Sequence, residues 1–148
     1  MSDHSKSREK WIKQKREARK QAFFLLFEQI FQKEAMEDII QDAKDARDLE
    51  VDKFTKKLIS GVEIHIEEID KLIEANLKGW RKNRISKVSL TIMRMAVYEM
   101  LYEDDIPVSV SINEAVELAK EFATPADGSF VNGVLGSVSK QLENSGEK

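Results

Sequence analysis

Basic side chains near the start of the chain are the residues best suited to binding a charged ligand. Residues 1–20 hold eight lysines and arginines against three carboxylates, although the whole chain of 148 residues carries a net charge of −3. An arginine can hold a phosphate with two parallel N–H donors, and each neutralised phosphate releases counterions. A basic segment on an acidic protein therefore indicates an anionic partner, while a solvated helix end is the alternative explanation of such a charge run.

Few side chains are suited to catalysis. The chain has no cysteine, which excludes disulfides, thiolate metal sites and cysteine nucleophiles and favours a reducing compartment. Its two histidines lie in unrelated sequence contexts. Asn113, Glu114 and Asn132 resemble a polar catalytic set, but we expect structural roles near helix ends, with Glu114 closing a capping box opened by Ser111. We therefore predict a protein that is not an enzyme and has no metal or other cofactor.

The stretch 85–102 is the element that must position the rest of the chain. It contains neither proline nor glycine, and its second part is apolar on nearly every face, as is typical of a helix surrounded by other helices. Arg94 and Glu99 are five residues apart and therefore lie on different faces. An unpaired charge on a buried helix is costly, so each needs a partner elsewhere. Glu99 and Glu114 are the partners that we consider for Arg94.

Helical periodicity and turn signals predict an all-α fold of about six to seven helices. We expect one long helix over residues 52–77, with Gly79 available for a left-handed cap. A loop over residues 124–129 precedes the last helix, whose cap we assign to Asp127 or Ser129. The remaining helices are expected at 8–33, 35–46, 85–102, 111–123 and 130–142.

We expect a single domain made of two helical parts, residues 8–80 and 81–142. Residues 1–7 and 143–148 are polar and are expected to be disordered. No apolar run reaches the roughly 18 residues of a membrane span, and the charged N-terminus lacks the apolar core of a signal peptide. We therefore predict a cytoplasmic protein that does not associate with membranes.

Four segments, taken in order, resemble the bacterial NusB transcription antitermination factors. They are REARKQA at 16–22, MRMAVYEM at 93–100, PVSVSINEAVELAK at 107–120 and FVNGVL at 130–135. The order and spacing agree from about residue 8 to residue 142. The resemblance implies an all-α, NusB-like fold of two packed helical bundles around a central buried helix. It also implies a function, which is binding of the boxA element of ribosomal RNA leader transcripts together with the ribosomal protein NusE, within an RNA polymerase antitermination complex.

The resemblance assigns an RNA-binding surface to this chain. The family's arginine motif on the first helix contacts RNA, and aromatic rings on which single-stranded bases stack form another part of the surface. Three alternatives stay open: Arg94 as a purely structural ion-pair partner, the phenylalanines as core residues, and Asp127 as a helix cap. The residues expected to bind RNA are Lys15, Arg16, Arg19, Arg94, Phe122, Asp127 and Phe130.

The family's contact with NusE falls at Phe27 and in the neighbourhood of Ser89. Many family members have a tyrosine at the first position and an acid at or near the second, so the detail of this contact is left open, and Phe27 could equally belong to the core. Some family members are dimers, which leaves a homodimer open as well. Whether Phe24, Phe27 and Phe31 are exposed bears on that assembly state.

Two other functions compete with this prediction. One is a helical protein-interaction adaptor without specific RNA binding, in which the basic segment is only a solvated end. The other is an enzyme module, because NusB-like domains also precede the catalytic domain of some ribosomal RNA cytosine methyltransferases. Those enzymes need a catalytic cysteine and a glycine-rich cofactor fold, so we do not expect this cysteine-free chain to be one.

Overall fold

The computed structural model describes residues 3–32, 35–47, 51–79 and 84–146, and within these ranges it contains seven helices and no strand. The predicted all-α fold is confirmed. The helices are α1 (Asp3–Gln32), α2 (Met36–Arg47), α3 (Lys53–Ile64), α4 (Ile66–Ala75), α5 (Lys87–Tyr102), α6 (Val108–Phe122) and α7 (Pro125–Asn144). None of them is long and apolar enough to cross a membrane.

The chain forms two compact units, Met1–Ile59 and Ser60–Lys148, so the division falls within α3. The expected boundary near residue 80 lies further along the chain, where residues 80–83 are outside the described residues. Helix α1 begins at Asp3, earlier than expected, and α7 continues to Asn144. Residues 1–2 and 147–148 of the expected disordered ends also lie outside the described residues.

The first unit is built on the apolar face of α1, which packs against α2. Alanines 18 and 22 allow close approach, and Phe23, Leu25 and Leu26 fill the space with apolar side chains. The start of α3 is tied to the same helix, because Thr55 Oγ1 donates a hydrogen bond to the carbonyl oxygen of Ala18 at 3.1 Å. The buried apolar residues of α2 and α3 in this unit are Met36, Ile39, Ala43, Phe54, Leu58 and Ile59.

The second unit is built around α5, which packs against α4, α6 and α7. Its apolar side chains are buried on several faces, as the sequence predicts for a central helix, and Ser86 caps it by accepting from the Ser89 N–H at 3.0 Å. The buried carboxylate of Glu99 accepts a hydrogen bond from Ser111 Oγ at 3.0 Å. The phenol of Tyr98 donates to Glu103 Oε1 at 3.0 Å.

The predicted single helix over residues 52–77 is wrong, since the structure has two helices separated at His65. The His65 backbone leaves helical geometry, with φ −106° and ψ 20°. Its ring stacks on Tyr102 with 4.1 Å between ring centroids, and the Tyr102 hydroxyl donates to Glu68 at 2.5 Å. These contacts with a neighbouring helix are not visible in local periodicity. Gly79 has the expected positive φ of 92°, although α4 ends earlier.

The predicted starts of the last two helices are also wrong. Helix α6 begins at Val108, so Ser111 lies inside it and does not open a capping box with Glu114. The Ser111 hydroxyl instead donates its hydrogen bond to the buried carboxylate of Glu99. Helix α7 begins at Pro125 with Thr124 as its cap, so most of the predicted loop is helical.

Replacing Gly61 by alanine is expected to destabilise the protein. A Cβ at this position would overlap the ring of Tyr98, whereas at Gly133 it would meet no atom within 4 Å. Overpacking costs about 1–3 kcal/mol. Replacing glycine inside a helix gains only up to about 1 kcal/mol. We therefore expect a lower free energy of unfolding for Gly61→Ala and an unchanged or higher one for the control Gly133→Ala, measured in urea. Equal effects of the two substitutions would contradict the packing described here.

Stability is expected to fall at alkaline pH through Tyr98. Burial and the hydrogen bond to the Glu103 carboxylate raise the pKa of the Tyr98 phenol above its ordinary value near 10. The unfolded chain then loses this proton first. The stability that the protonated Tyr98 phenol contributes is therefore present below about pH 10 and is lost as the pH rises further. The gap in unfolding free energy between wild type and Tyr98→Phe should narrow from pH 9 to pH 11. A constant gap would argue against the raised pKa.

Candidate nucleic-acid interface

Two basic side chains of α1 lie over one ring of α3. Lys15 Nζ lies 3.6 Å from the centroid of the Phe54 ring and 5.5 Å from that of Trp11. The Arg19 guanidinium carbon lies 5.7 Å from the same Phe54 centroid. A cation over an aromatic face is attracted by the ring quadrupole, so Phe54 restrains both side chains. Sequence reasoning missed Phe54, and its position in the first turn of α3 gave no signal for this role.

The three predicted RNA-binding cations of α1 differ in exposure. Arg16 is exposed and Lys15 is half-buried, whereas Arg19 is only 4% exposed. Within this unit, a ligand approaching α1 can therefore contact Arg16 directly and Lys15 in part. Arg19 offers little surface in this conformation, and its place against Phe54 gives it a role in packing.

A groove of about 260 Å³ in the second unit carries two of the other predicted residues. The segment preceding α5 forms one side, and the first turns of α7 form the other. Phe130 is half-buried there, and Phe122, at the end of α6, is half-buried but is not among the lining residues. The structure therefore brings Asp127 and Phe130 together. The lining residues are Arg84, Ile85, Ser86, Ala126, Asp127 and Phe130.

The Asp127 carboxylate is held by two hydroxyl groups. Thr124 Oγ1 donates to Asp127 Oδ2 at 2.7 Å and accepts from the Asp127 backbone N–H at 3.1 Å, which closes a reciprocal cap at the start of α7. Ser89 Oγ donates to Asp127 Oδ1 at 3.3 Å. Asp127 therefore takes part in the helix cap, which is the alternative to a role in RNA binding. The cap residue itself is Thr124, so the predicted cap at Asp127 or Ser129 is wrong.

Ser89, one of the two residues expected to contact a protein partner, is fully buried. Its hydroxyl already donates a hydrogen bond to Asp127. A partner approaching the start of α5 would therefore contact the exposed neighbours Ser86 and Lys87 instead. Phe27, the other expected contact, is half-buried between two rings. Its ring stacks on Phe23 at 5.7 Å and meets Phe31 edge-on at 5.0 Å between centroids.

Arg94 pairs with a residue that the sequence analysis did not consider. Its Nε donates to Asp70 Oδ1 and its Nη2 to Asp70 Oδ2, each at 2.9 Å. The expected pairing with Glu99 or Glu114 is wrong, because Nε and Nη2 of the guanidinium are both directed at Asp70.

Asp70 lies between the buried residues Ile69 and Ile73 of α4. A carboxylate beside buried positions of a helix is the sequence signal that could have identified Asp70 as the partner of Arg94. The role of Arg94 in RNA binding stays a prediction.

Two aromatic side chains of α1 are exposed beside Phe27. Phe24 and Phe31 expose 44% and 59% of their surface. Neighbouring exposed rings on one helix suit contact with another protein. A homodimer stays a prediction.

Among the residues that the structure describes, no group of three or more His, Asp or Glu side chains could hold a metal ion.

These features define an all-helical domain with a cationic first helix and an aromatic-edged groove in its second unit. The NusB family model matches residues 16–140, so the chain belongs to the NusB family. It is 41% identical to the transcription antitermination protein NusB of Clostridium novyi (strain NT) over 130 residues, which cover 85% of this chain and 98% of that protein.

Solved structures agree with this assignment. NusB of T. maritima is 37% identical, with a TM-score of 0.75, and the match covers 85% of this chain and 90% of that one. The crystal structure of the antitermination factors NusB and NusE in complex with double-stranded RNA contains a chain that is 27% identical, with a TM-score of 0.76. That match covers 86% of this chain and 96% of the other.

The pair between Arg94 and Asp70 is expected to stabilise the second unit. Asp70→Asn leaves the partly buried guanidinium without a charged partner, and allowing for partial exposure we expect a loss of about 1–3 kcal/mol in unfolding free energy. A double-mutant cycle with Arg94→Gln, measured in urea, should give a coupling of at least about 0.5 kcal/mol. Additive effects of the two substitutions would show that the pair contributes nothing.

Proposed function

We propose that this chain is a transcription antitermination factor that binds the boxA RNA of ribosomal RNA leader transcripts together with NusE and joins the RNA polymerase antitermination complex. The observation that carries this proposal is the likeness, over 86% of the chain, to a structure of NusB and NusE bound to RNA. Membership of the NusB family supports the same function. The protein then acts in the cytoplasm, where the transcript is made.

The contribution of α1 to RNA binding is electrostatic. The exposed guanidinium of Arg16 donates two parallel hydrogen bonds to a phosphate, and the ammonium of Lys15 adds a second positive charge. Stacking of Lys15 and Arg19 on Phe54 limits the freedom of these long side chains before RNA arrives. Less entropy is then lost on binding, which favours affinity.

The contribution of the groove in the second unit is recognition of bases. The half-buried ring of Phe130 offers a face on which a splayed base stacks, a contact that contributes about 1–3 kcal/mol per base in single-strand binding. Arg84 at the groove edge supplies a donor to phosphate or to a base. Asp127, held by Thr124 and Ser89, keeps the start of α7 in place and so positions Phe130. Phe122 and Arg94 complete the set of proposed RNA contacts.

This function requires binding alone, so the protein acts without catalysis and without a cofactor. NusE contacts the aromatic residues of α1 around Phe27 and the exposed neighbours of Ser89. Exposed Phe24 and Phe31 give the first of these surfaces an apolar character that suits a protein partner. The same two rings favour the second candidate function, a helical adaptor that binds protein without specific RNA recognition.

Titration with boxA RNA distinguishes the two candidate functions. We expect binding that is weak alone, tightens with NusE, and falls with salt with a log–log slope of about −0.7 per phosphate contact. Arg16→Ala should lower affinity and reduce the magnitude of this slope by about 0.7, because one contact is lost. Lys140→Ala, which removes an exposed charge from α7, is the matched control and should change neither.

A scrambled RNA of the same length provides the second control. If the protein and NusE together bind boxA no better than the scrambled sequence, the antitermination function proposed here is wrong. Retained NusE binding in that case would favour the adaptor instead.

A further inference from the structure

The first turns of α1 lie outside the residues that the family model matches. That match begins at Arg16, whereas α1 begins at Asp3. Between Arg8 and Lys15 this extension holds four cationic side chains against the single carboxylate of Glu9. Positive charge therefore continues along the helix beyond the arginine motif.

Trp11 is the aromatic residue within this basic extension, and it is 45% exposed. It lies one helical turn before Lys15, whose ammonium is 5.5 Å from the indole centroid. Alternating cations and an exposed aromatic face are the two components of surfaces that bind single-stranded nucleic acid. Sequence reasoning used only the charges here and missed Trp11.

A groove of about 540 Å³ runs beside the same helix within the first unit. Lys10 and Lys13 line it, and Glu17 lines it a turn further along α1. Asp52, which precedes α3, also lines it and already accepts a hydrogen bond from the Phe54 backbone N–H at 2.7 Å. Phosphates are therefore favoured near the two lysines and disfavoured near the carboxylates. The lining residues are Lys10, Lys13, Gln14, Glu17, Ala18, Gln21, Val51 and Asp52.

We propose that this extension is a second RNA-binding site, which takes single-stranded nucleotides flanking boxA. One base stacks on Trp11, and the adjoining phosphates lie against Lys10 and Lys13. Stacking on an aromatic ring tolerates any base, so the site adds affinity without adding sequence preference. This inference rests on the RNA binding proposed above and extends it to nucleotides that the family's own motif does not reach.

The test compares three RNA probes in the presence of NusE: boxA RNA alone, and boxA RNA carrying about six uridines at its 5′ or its 3′ end. We expect at least one extension to raise wild-type affinity by about 5-fold or more, the effect of one stacked base. Trp11→Ala should abolish this gain and leave the affinity for boxA alone nearly unchanged, because Phe54 still holds Lys15. Trp11→Phe should keep most of the gain because it retains a ring.

Ile12→Ala is the matched control, because Ile12 is a neighbouring exposed apolar residue without an aromatic face. It should leave the gain unchanged, and circular dichroism should show equal helix content in all variants. The inference is overturned if neither extension raises wild-type affinity or if the gain survives in Trp11→Ala. It is also overturned if Trp11→Ala weakens NusE binding while the gain persists, since the surface would then bind protein.

Fluorescence gives an independent measurement. The chain has two tryptophans, so Trp80→Phe leaves Trp11 as the sole reporter. Stacking of a base should quench its emission more strongly with the extended RNA than with boxA alone, whereas equal quenching would overturn the inference. Failure of the proposed function would look different. The wild type would then bind boxA and scrambled RNA with equal affinity, and the gain that depends on Trp11 could still be measured.

Discussion

Burial of α5 on several faces removes most of its polar side chains from bulk water, and the second unit is arranged to satisfy them. Asp70 of α4 pairs with Arg94 through two hydrogen bonds, and Ser111 of α6 donates to Glu99. Because an unpaired charge in such a place is costly, these pairs determine which faces of the neighbouring helices meet α5. The start of α7 is held to α5 in the same way, through Ser89 and Asp127.

The first unit solves a different problem, which is how to display positive charge on a helix that also belongs to a core. Helix α1 buries Phe23 and Leu25, and among its cations Arg16 is exposed whereas Arg19 is buried beside the core. Phe54 of α3 supports Lys15 and Arg19 by cation–π contact, so the same ring is part of the core and part of the basic surface. Charged side chains restrained in this way are better prepared for a polyanion than freely rotating ones.

The predicted helices and the structure agree best where the apolar pattern is long, and they disagree at helix ends. The central helix and the long first helix follow from periodicity alone. The starts of α6 and α7 do not follow from periodicity. At α6, Ser111 fits a capping pattern locally, but its hydroxyl donates to the distant carboxylate of Glu99. The break at His65 likewise accompanies stacking on Tyr102, a residue of another helix.

By itself, the sequence determined the all-α class, the buried central helix, the basic character of α1 and the family, because each depends on local pattern or on residue order. Only the tertiary structure decided which charges pair, which rings are exposed and where a groove forms. Asp70 as the partner of Arg94, the burial of Ser89 and Arg19, and the exposure of Trp11 all depend on which helices come together. Such contacts join residues far apart in the chain, and periodicity along one helix carries no information about them.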